Sequence, residues 1–442
     1  MINVVAVPDR GLGNTSHVVD LGDGSALVVD PERSPRPYLE VADRLGLRIR
    51  LVAETHLHAD FVSGARELVA LGAELIAPRD SRLAHAHRAV IDGDELAVGG
   101  FTLRVIATPG HTPEHVAYAL LDGTAPQLVF TGGTLMTGGV ARPDLVDPDL
   151  TVPLARDSFH SVRHLLGSLP DAVELRPTHG GGSFCSSASA GAASVTTVGE
   201  QRAVHPAALA SNESIFADEL LASLGTFPTY FRRLRPVNQR GPKVYGVDPP
   251  TLPDLDAQDL DRYTVIDVRP IDRFSAGHIP GSISIELRDQ FGTWLGWLVD
   301  SETPVVFVID ADQDQRELVR QALTIGHEAM VGMVDFGAWV ASGGVPAAIE
   351  LLSPAAIPDD AALVDVRQRS EWTSEHVRGA VHIELGEMVA PSHTLPAHAV
   401  VFHCGHGQRA MTAASLLRRD GNQAVSATAA GPADIKEART AR

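Results

Sequence analysis

The sequence predicts an α/β protein built from three consecutive modules, and three observations carry that expectation. The chain has 442 residues, more than a single hydrophobic core usually supports. Its first half alternates short strand patterns with helix-spaced segments, the pace of a layered α/β domain. Its second half repeats itself: Asp267-Val268-Arg269, Phe274, Gly277-His278-Ile279 and Gly281 recur 98 residues later as Asp365-Val366-Arg367, Trp372, Glu375-His376-Val377 and Gly379. Each copy runs strand, helix, strand, then a strongly apolar strand, Pro304–Ile309 in the first and Ala399–His403 in the second.

Composition narrows the function classes. A net charge of −19 lacks the basic footprint that nucleic acid or an anionic membrane demands. No run approaches the ~20 apolar residues that cross a bilayer, and the first ten residues lack a basic region followed by a long apolar one. A cytoplasmic protein is expected. The two cysteines, Cys185 and Cys404, form no disulfide framework and suit a reducing compartment.

Taken in order, residues 1–30 read as strands Asn3–Val7, His17–Leu21 and Ala26–Val29, the last two joined by Gly22-Asp23-Gly24. Helical spacing over Tyr38–Leu45 follows, then a buried strand at Leu51–Ala53, a helix at Ala65–Leu71 and a strand at Glu74–Ala77. The buried strand delivers E-T-H-L-H-A-D-F, which places His56, His58 and Asp60 together. Imidazoles at alternate positions project together off a strand end, and a carboxylate adds a hard donor, so this stretch reads as a metal site. After the strand Thr102–Ala107, Gly110 permits a sharp turn that presents His111 as a further ligand. The strand Leu128–Thr131 ends at Gly132-Gly133, and R-P-T-H-G-G-G-S-F-C brings in His179 and Cys185. Cys185 reads either as a sulfur-passing thiol or as a small apolar filler beside Phe184. Residues 186–205 read as a loop and connecting element, followed by a helical segment at Ile215–Leu224 and a linker at Gly241–Pro250.

The E-T-H-L-H-A-D stretch resembles the T-H-x-H-x-D-H signature of the metallo-β-lactamase fold, in the form seen in glyoxalase II and the persulfide dioxygenases. The resemblance implies an αββα sandwich over residues 1–245 with metal ligands at His56, His58, Asp60, His111 and His179. Two positions depart from it. Phe61 stands where the family has a histidine, and Gly133 where F-T-G-D has an aspartate. The implied cofactor is Fe(II) or Zn(II) in an incomplete site, and an aspartate at 133 would rebuild the two-His, one-carboxylate set of mononuclear iron enzymes. The A-R-P-D-L segment resembles the substrate side of the persulfide dioxygenases, which implies that Arg142 pairs with a thiol's carboxylate; a surface loop arginine explains it equally well.

The repeat resembles rhodanese domains, over 246–348 and 349–442. In the second copy, H-C-G-H-G-Q-R-A presents Cys404 at a strand end, wrapped by glycines and facing a helix N-terminus, where dipoles and Arg409 favour a thiolate. This is the C-x-x-G-x-R persulfide loop. The resemblance implies Cys404 as nucleophile, Arg409 as partner of the anionic donor, and Gly405, His406, Gly407, Gln408 and Ala410 as the substrate cradle. The first copy has V-I-D-A-D-Q-D at that place, where the absence of a thiol excludes sulfur carriage and aspartates repel anions. That module is expected to be structural, packing the other two together.

The whole chain thus resembles a persulfide-dioxygenase-like domain fused to two rhodanese domains. Three readings of the first domain stand side by side: a metal-dependent dioxygenase oxidising glutathione persulfide or a similar one to sulfite, a metal-free persulfide-binding module, and, least supported, a thioester hydrolase. Expected partners are a small-molecule persulfide, thiosulfate or thiol and, at most, a second copy in a homodimer.

Overall fold

The computed structural model describes residues 2–187, 195–256, 260–389, 399–422 and 424–441. Part of the stretch expected as a loop, residues 188–194, lies outside them. The chain divides into two compact units, residues 1–250 with 323–326, and 251–322 with 327–442.

The first unit contains two six-stranded sheets. One runs in chain order through Val4–Asp9, Asn14–Asp20, Ser25–Val29, Arg48–Ala53, Glu74–Pro78 and Arg88–Val90; the other runs Thr196–Thr197, Glu174–Pro177, Ala125–Gly132, Val116–Asp122, Phe101–Ala107 and Glu95–Val98. Side-chain alternation builds the layers. Val19, Leu27 and Val29 of the first sheet meet Leu103, Tyr118, Leu120 and Phe130 of the second in one core. Their sequence neighbours Val18, Ala26 and Val28 pack on Tyr38, Val41 and Leu68 of the helices Arg36–Leu45 and Ala65–Ala70. Ala117, Ala119 and Val129 pack on Phe159, Val162 and Leu165 of the helix Thr151–Ser168. The result is a helix–sheet–sheet–helix sandwich. That 18-residue helix was not anticipated, because its polar outer face dilutes the apolar stripe.

In the second unit each repeat forms its own parallel sheet. The first is ordered Ile283–Ser284, Thr264–Asp267, Val305–Ile309, Met330–Asp335, and the second Glu350–Leu352, Val425–Thr428, Val400–His403, Ala362–Asp365, Val381–His382. The repeated letters make repeated contacts. Arg269 Nη2 bonds Asp267 Oδ2 at 2.6 Å and the Gly277 carbonyl at 2.8 Å. Arg367 Nη2 bonds Asp365 Oδ2 at 2.7 Å and the Glu375 carbonyl at 2.6 Å. His278 stacks on Phe274 at 4.0 Å, and His376 on Trp372 at 4.1 Å. In each copy a buried charge pair ties the strand end to the end of the next helix, which accounts for the recurrence of D-V-R with a ring and a histidine at fixed spacing. Among the described residues no helix is long and apolar enough to cross a membrane.

Candidate functional site

Two constellations stand out, one in each unit. In the first, His56, His58, Asp60, His111 and His179 all lie just past strand ends and are almost completely buried. Each imidazole has one nitrogen anchored. His56 Nδ1 is hydrogen bonded to Thr55 Oγ1 at 2.8 Å, and His58 Nε2 donates to Glu54 Oε2 at 2.9 Å with Asp30 Oδ1 at 3.3 Å. His111 Nδ1 donates to the Arg142 carbonyl at 2.7 Å, and His179 Nδ1 to Asn14 Oδ1 at 3.0 Å.

The opposite nitrogens either face one another or, among the described residues, stand unpaired. Among the described residues His58 Nδ1, His111 Nε2 and Asp60 Oδ1 are buried without a hydrogen-bond partner. His56 Nε2 and His179 Nε2 stand 3.3 Å apart, close to the roughly 3.4 Å that separates two nitrogens bound tetrahedrally to one ion at about 2.1 Å. Buried polar atoms left unpaired are costly, and rings fixed through one nitrogen with the other free are the arrangement of metal-ligating histidines. Three donor sets have atoms within 4.8 Å of one another: His56, His111, His179; Asp30, His56, His58; and His58, Asp60, His179. The residues present therefore fit a metal ion.

Electrostatics follow the same division. Burial opposes charge on His58, but Asp30 and Glu54 override it and raise its pKa to about 10. Burial, and then the neighbouring imidazoles, push His56 well below the usual histidine range; burial and His179 do the same to His111.

The two departures at Phe61 and Gly133 acquire a physical meaning. Phe61 is fully buried and stacks on the His58 ring at 4.2 Å, so an apolar face covers the side where a further imidazole would reach. Gly133 donates its N–H to His115 Nε2 at 3.0 Å. A Cβ at Gly133 would lie 2.8 Å from both Ala141 Cβ and His111 Cδ2. The place of the missing carboxylate is occupied by its neighbours.

Arg142 was left open between a ligand's partner and a surface loop residue, and it is not at the surface. It is buried, and its guanidinium bonds Asp144 at 2.7 and 2.8 Å, the Phe184 carbonyl at 3.2 Å and the Gly225 carbonyl at 2.9 Å, over the Phe227 ring. Its donors are engaged within the protein, and its own carbonyl orients His111. Cys185 is fully buried among Phe61, Val62, Leu145 and Tyr230, and burial and Asp60 push its thiol well above the usual range. Of the two readings of Cys185, the packing one matches this environment.

In the second unit Cys404 follows the strand Val400–His403, and Gly407, at φ +94°, closes the loop onto the helix Gln408–Arg419. Gly407 N–H donates to Cys404 Sγ at 3.1 Å. The helix begins at Gln408, which brings its N-terminus against the sulfur. Gly405 is half-buried, His406 exposed, and Gln408 and Ala410 lie in the first turn. Arg409, expected to face the donor, bonds Glu371 through Nη1 at 2.6 Å and Nη2 at 2.9 Å. A bidentate pair neutralises that guanidinium. The first repeat reverses the charges of this clasp: Arg273, which precedes Glu371 by the repeat length of 98 residues, bonds Asp310 and Asp312 of its thiol-free loop. The aspartates expected to repel anions are held by an internal cation.

Sequence reasoning missed Asp30, Asn14, Glu54, His115 and Glu371 as supports. Asp30 had a signal only in its place before Pro31; it sits at φ +49°, receives the Thr55 N–H and hydroxyl, each at 2.7 Å, and is fully buried. Glu371 was detectable as one member of the repeat whose charge changes sign.

Comparison with known proteins finds two families along the chain. Residues 9–173 match the metallo-beta-lactamase superfamily, and residues 254–342 and 349–438 each match the rhodanese-like domain. The chain is 32% identical over 185 residues to the mitochondrial persulfide dioxygenase ETHE1 of Homo sapiens, covering 41% of this chain and 65% of that one. It is 40% identical over 122 residues to a hydroxyacylglutathione hydrolase of Methylobacillus flagellatus, covering 27% of this chain and 46% of that one. The chain thus spans less than two thirds of either curated relative. Among solved structures, a metallo-beta-lactamase from Staphylococcus aureus superposes with a TM-score of 0.67 at 29% identity, covering 75% of this chain and 98% of that one.

Proposed function

The chain joins a metallo-beta-lactamase domain to two rhodanese-like domains, and we propose that it handles sulfane sulfur, with Cys404 as the nucleophile of a sulfurtransferase. The observation that carries this reading is the Gly407 N–H directed at Cys404 Sγ from the start of a 12-residue helix, because backbone dipoles there favour negative charge on sulfur. The Cys404 thiolate attacks the outer sulfur of a persulfide or of thiosulfate. The S–S bond breaks, the electron pair leaves with the thiolate or sulfite, and Cys404 keeps the sulfur as a persulfide. An acceptor thiol or sulfite then attacks that outer sulfur and regenerates the thiolate.

Cys404→Ser is expected to abolish transfer from thiosulfate to a thiol, whereas Cys185→Ser leaves the rate nearly intact. Retention of transfer in both variants, or its loss only in Cys185→Ser, overturns the assignment.

A second reading applies to the first domain, where similarity to a persulfide dioxygenase and the unpaired donors point to oxidation of a thiol persulfide. Fe(II) or Zn(II) would be held by His56, His111 and His179, or by the two-His, one-carboxylate set His58, Asp60 and His179. When bound, iron supplies open positions for oxygen and thiolate. Thr55, Glu54 with Asp30, the Arg142 carbonyl and Asn14 fix the rings, and Phe61 excludes water from the His58 face. Phe61 and Gly133 leave a two-metal hydrolase without two of its donors. Metal content after expression in iron- and zinc-supplemented medium tests this reading; protein without metal in both media leaves the binding-module alternative.

A further inference from the structure

A cavity of about 20 Å³ lies beside His56 and His58, space for a single molecule of two or three atoms. Its walls are apolar: Leu57, Ala65, Leu75, Ala77, Pro78 and Leu83, from the loop after strand Arg48–Ala53, the helix Ala65–Ala70, the strand Glu74–Pro78 and the segment that follows it. Among its lining residues Glu54, His56 and His58 are almost completely buried, whereas Leu83, His85 and Arg66 are half-buried. The cavity therefore runs from two of the metal-donor histidines toward the surface.

The polar side chains along it are committed to the protein. Glu54 Oε2 accepts from His58 Nε2 at 2.9 Å, and Glu54 Oε1 accepts from the Ser63 hydroxyl. Asn238 donates through Nδ2 to the His58 and Phe61 carbonyls at 2.8 and 2.9 Å and accepts the Ser63 N–H at 2.9 Å. Ser81 donates to the Pro78 carbonyl at 2.6 Å, and Arg66 to the Pro242 carbonyl. A water molecule requires several partners of its own, and this lining spends its donors and acceptors on itself. Apolar cavities of this kind stay dry and take up apolar guests. A thiol persulfide, charged and many atoms long, matches neither the size nor the lining.

We infer that this cavity is the dioxygen site of the first domain, holding the gas against His56 and His58 while the persulfide enters by another side. Dioxygen is the small, uncharged reactant of persulfide oxidation, and a dry apolar pocket favours it over water. The inference rests on the oxidation reading of this domain.

Full-length protein from zinc-supplemented medium is diamagnetic with or without its metal, because Zn(II) has a filled d shell. Dioxygen is paramagnetic and speeds the relaxation of methyl groups it touches, so NMR of methyl-labelled protein under oxygen pressure locates it. The methyls of Leu57, Leu75, Ala77 and Leu83 are expected to relax severalfold faster than those of Leu103 and Leu120, which are fully buried between the two sheets. Leu83→Trp at the half-buried end, or Ala77→Leu at the inner wall, should abolish the effect at Leu57 and Leu75, and a melting temperature near that of the wild type identifies a variant that has kept its fold. In iron-loaded protein the same variants should raise KM for oxygen severalfold and leave KM for glutathione persulfide unchanged. Wild-type methyls of the cavity that relax no faster than Leu103 and Leu120 overturn the proposal. So does a folded variant that loses the relaxation effect and keeps its KM for oxygen. Iron-loaded wild type that consumes no oxygen with a persulfide, while the cavity methyls still register the gas, refutes the oxidation reading and leaves the gas site standing.

Discussion

Gly133→Asp would restore in sequence the carboxylate that mononuclear iron enzymes of this kind use, and the geometry argues that it would damage the site instead. The added Cβ falls 2.8 Å from Ala141 Cβ and from His111 Cδ2, about 0.7 Å inside the lower end of ordinary carbon–carbon contact. Ala141 is tied back to Gly133 by its own N–H, donated to the Gly133 carbonyl at 2.7 Å, and His111 is held through Nδ1 by Arg142. Neither neighbour can yield cheaply. Overpacking of this kind costs about 1–3 kcal/mol, and at roughly 2–4 °C per kcal/mol for a unit of this size the melting temperature should fall by about 2–12 °C. Thermal unfolding in chelator isolates this cost from metal stabilisation, and metal content by mass spectrometry reports whether His111 keeps its place. Gly133→Asp with Ala141→Gly removes one of the two overlaps and should recover part of the loss. A single Gly133→Asp variant that melts with the wild type and binds at least as much metal refutes the reasoning.

Glu371→Gln releases Arg409 from its pair and should lower KM for thiosulfate roughly threefold, a magnitude typical of a partly exposed ion pair; a rise in KM would show that the pair is needed to shape the loop. Asp60→Asn keeps the size of the side chain but removes its charge, so metal affinity measured against a competing chelator should drop about 10–100-fold, as for other groups that hold or support a metal. An unchanged affinity would leave the three-histidine set as the binding site. Arg142→Ala strips a buried guanidinium from Asp144 and two carbonyls, and should cost about 2–4 kcal/mol in unfolding free energy. A selective rise in KM for an anionic thiol substrate at unchanged stability would return Arg142 to the ligand role.

The sequence by itself determined what depends on residue identity and short-range spacing. The 98-residue repeat, the thiol at Cys404, the histidines after strand ends and the period-two apolar strands were all legible, because a loop that presents a sulfur or an imidazole is written in a few consecutive residues.

What only the tertiary structure decided is which groups spend their donors on one another. Arg142 and Arg409 look like free cations in the chain, yet Asp144 and Glu371, placed by other turns and helices, consume them. Gly133 reads as a missing ligand, but packing makes it a position where His111 and Ala141 already fill the space. Hydrogen bonds and ion pairs are short-range and saturable, so the partner that reaches a group first in space removes it from chemistry, and sequence distance carries no record of that contest.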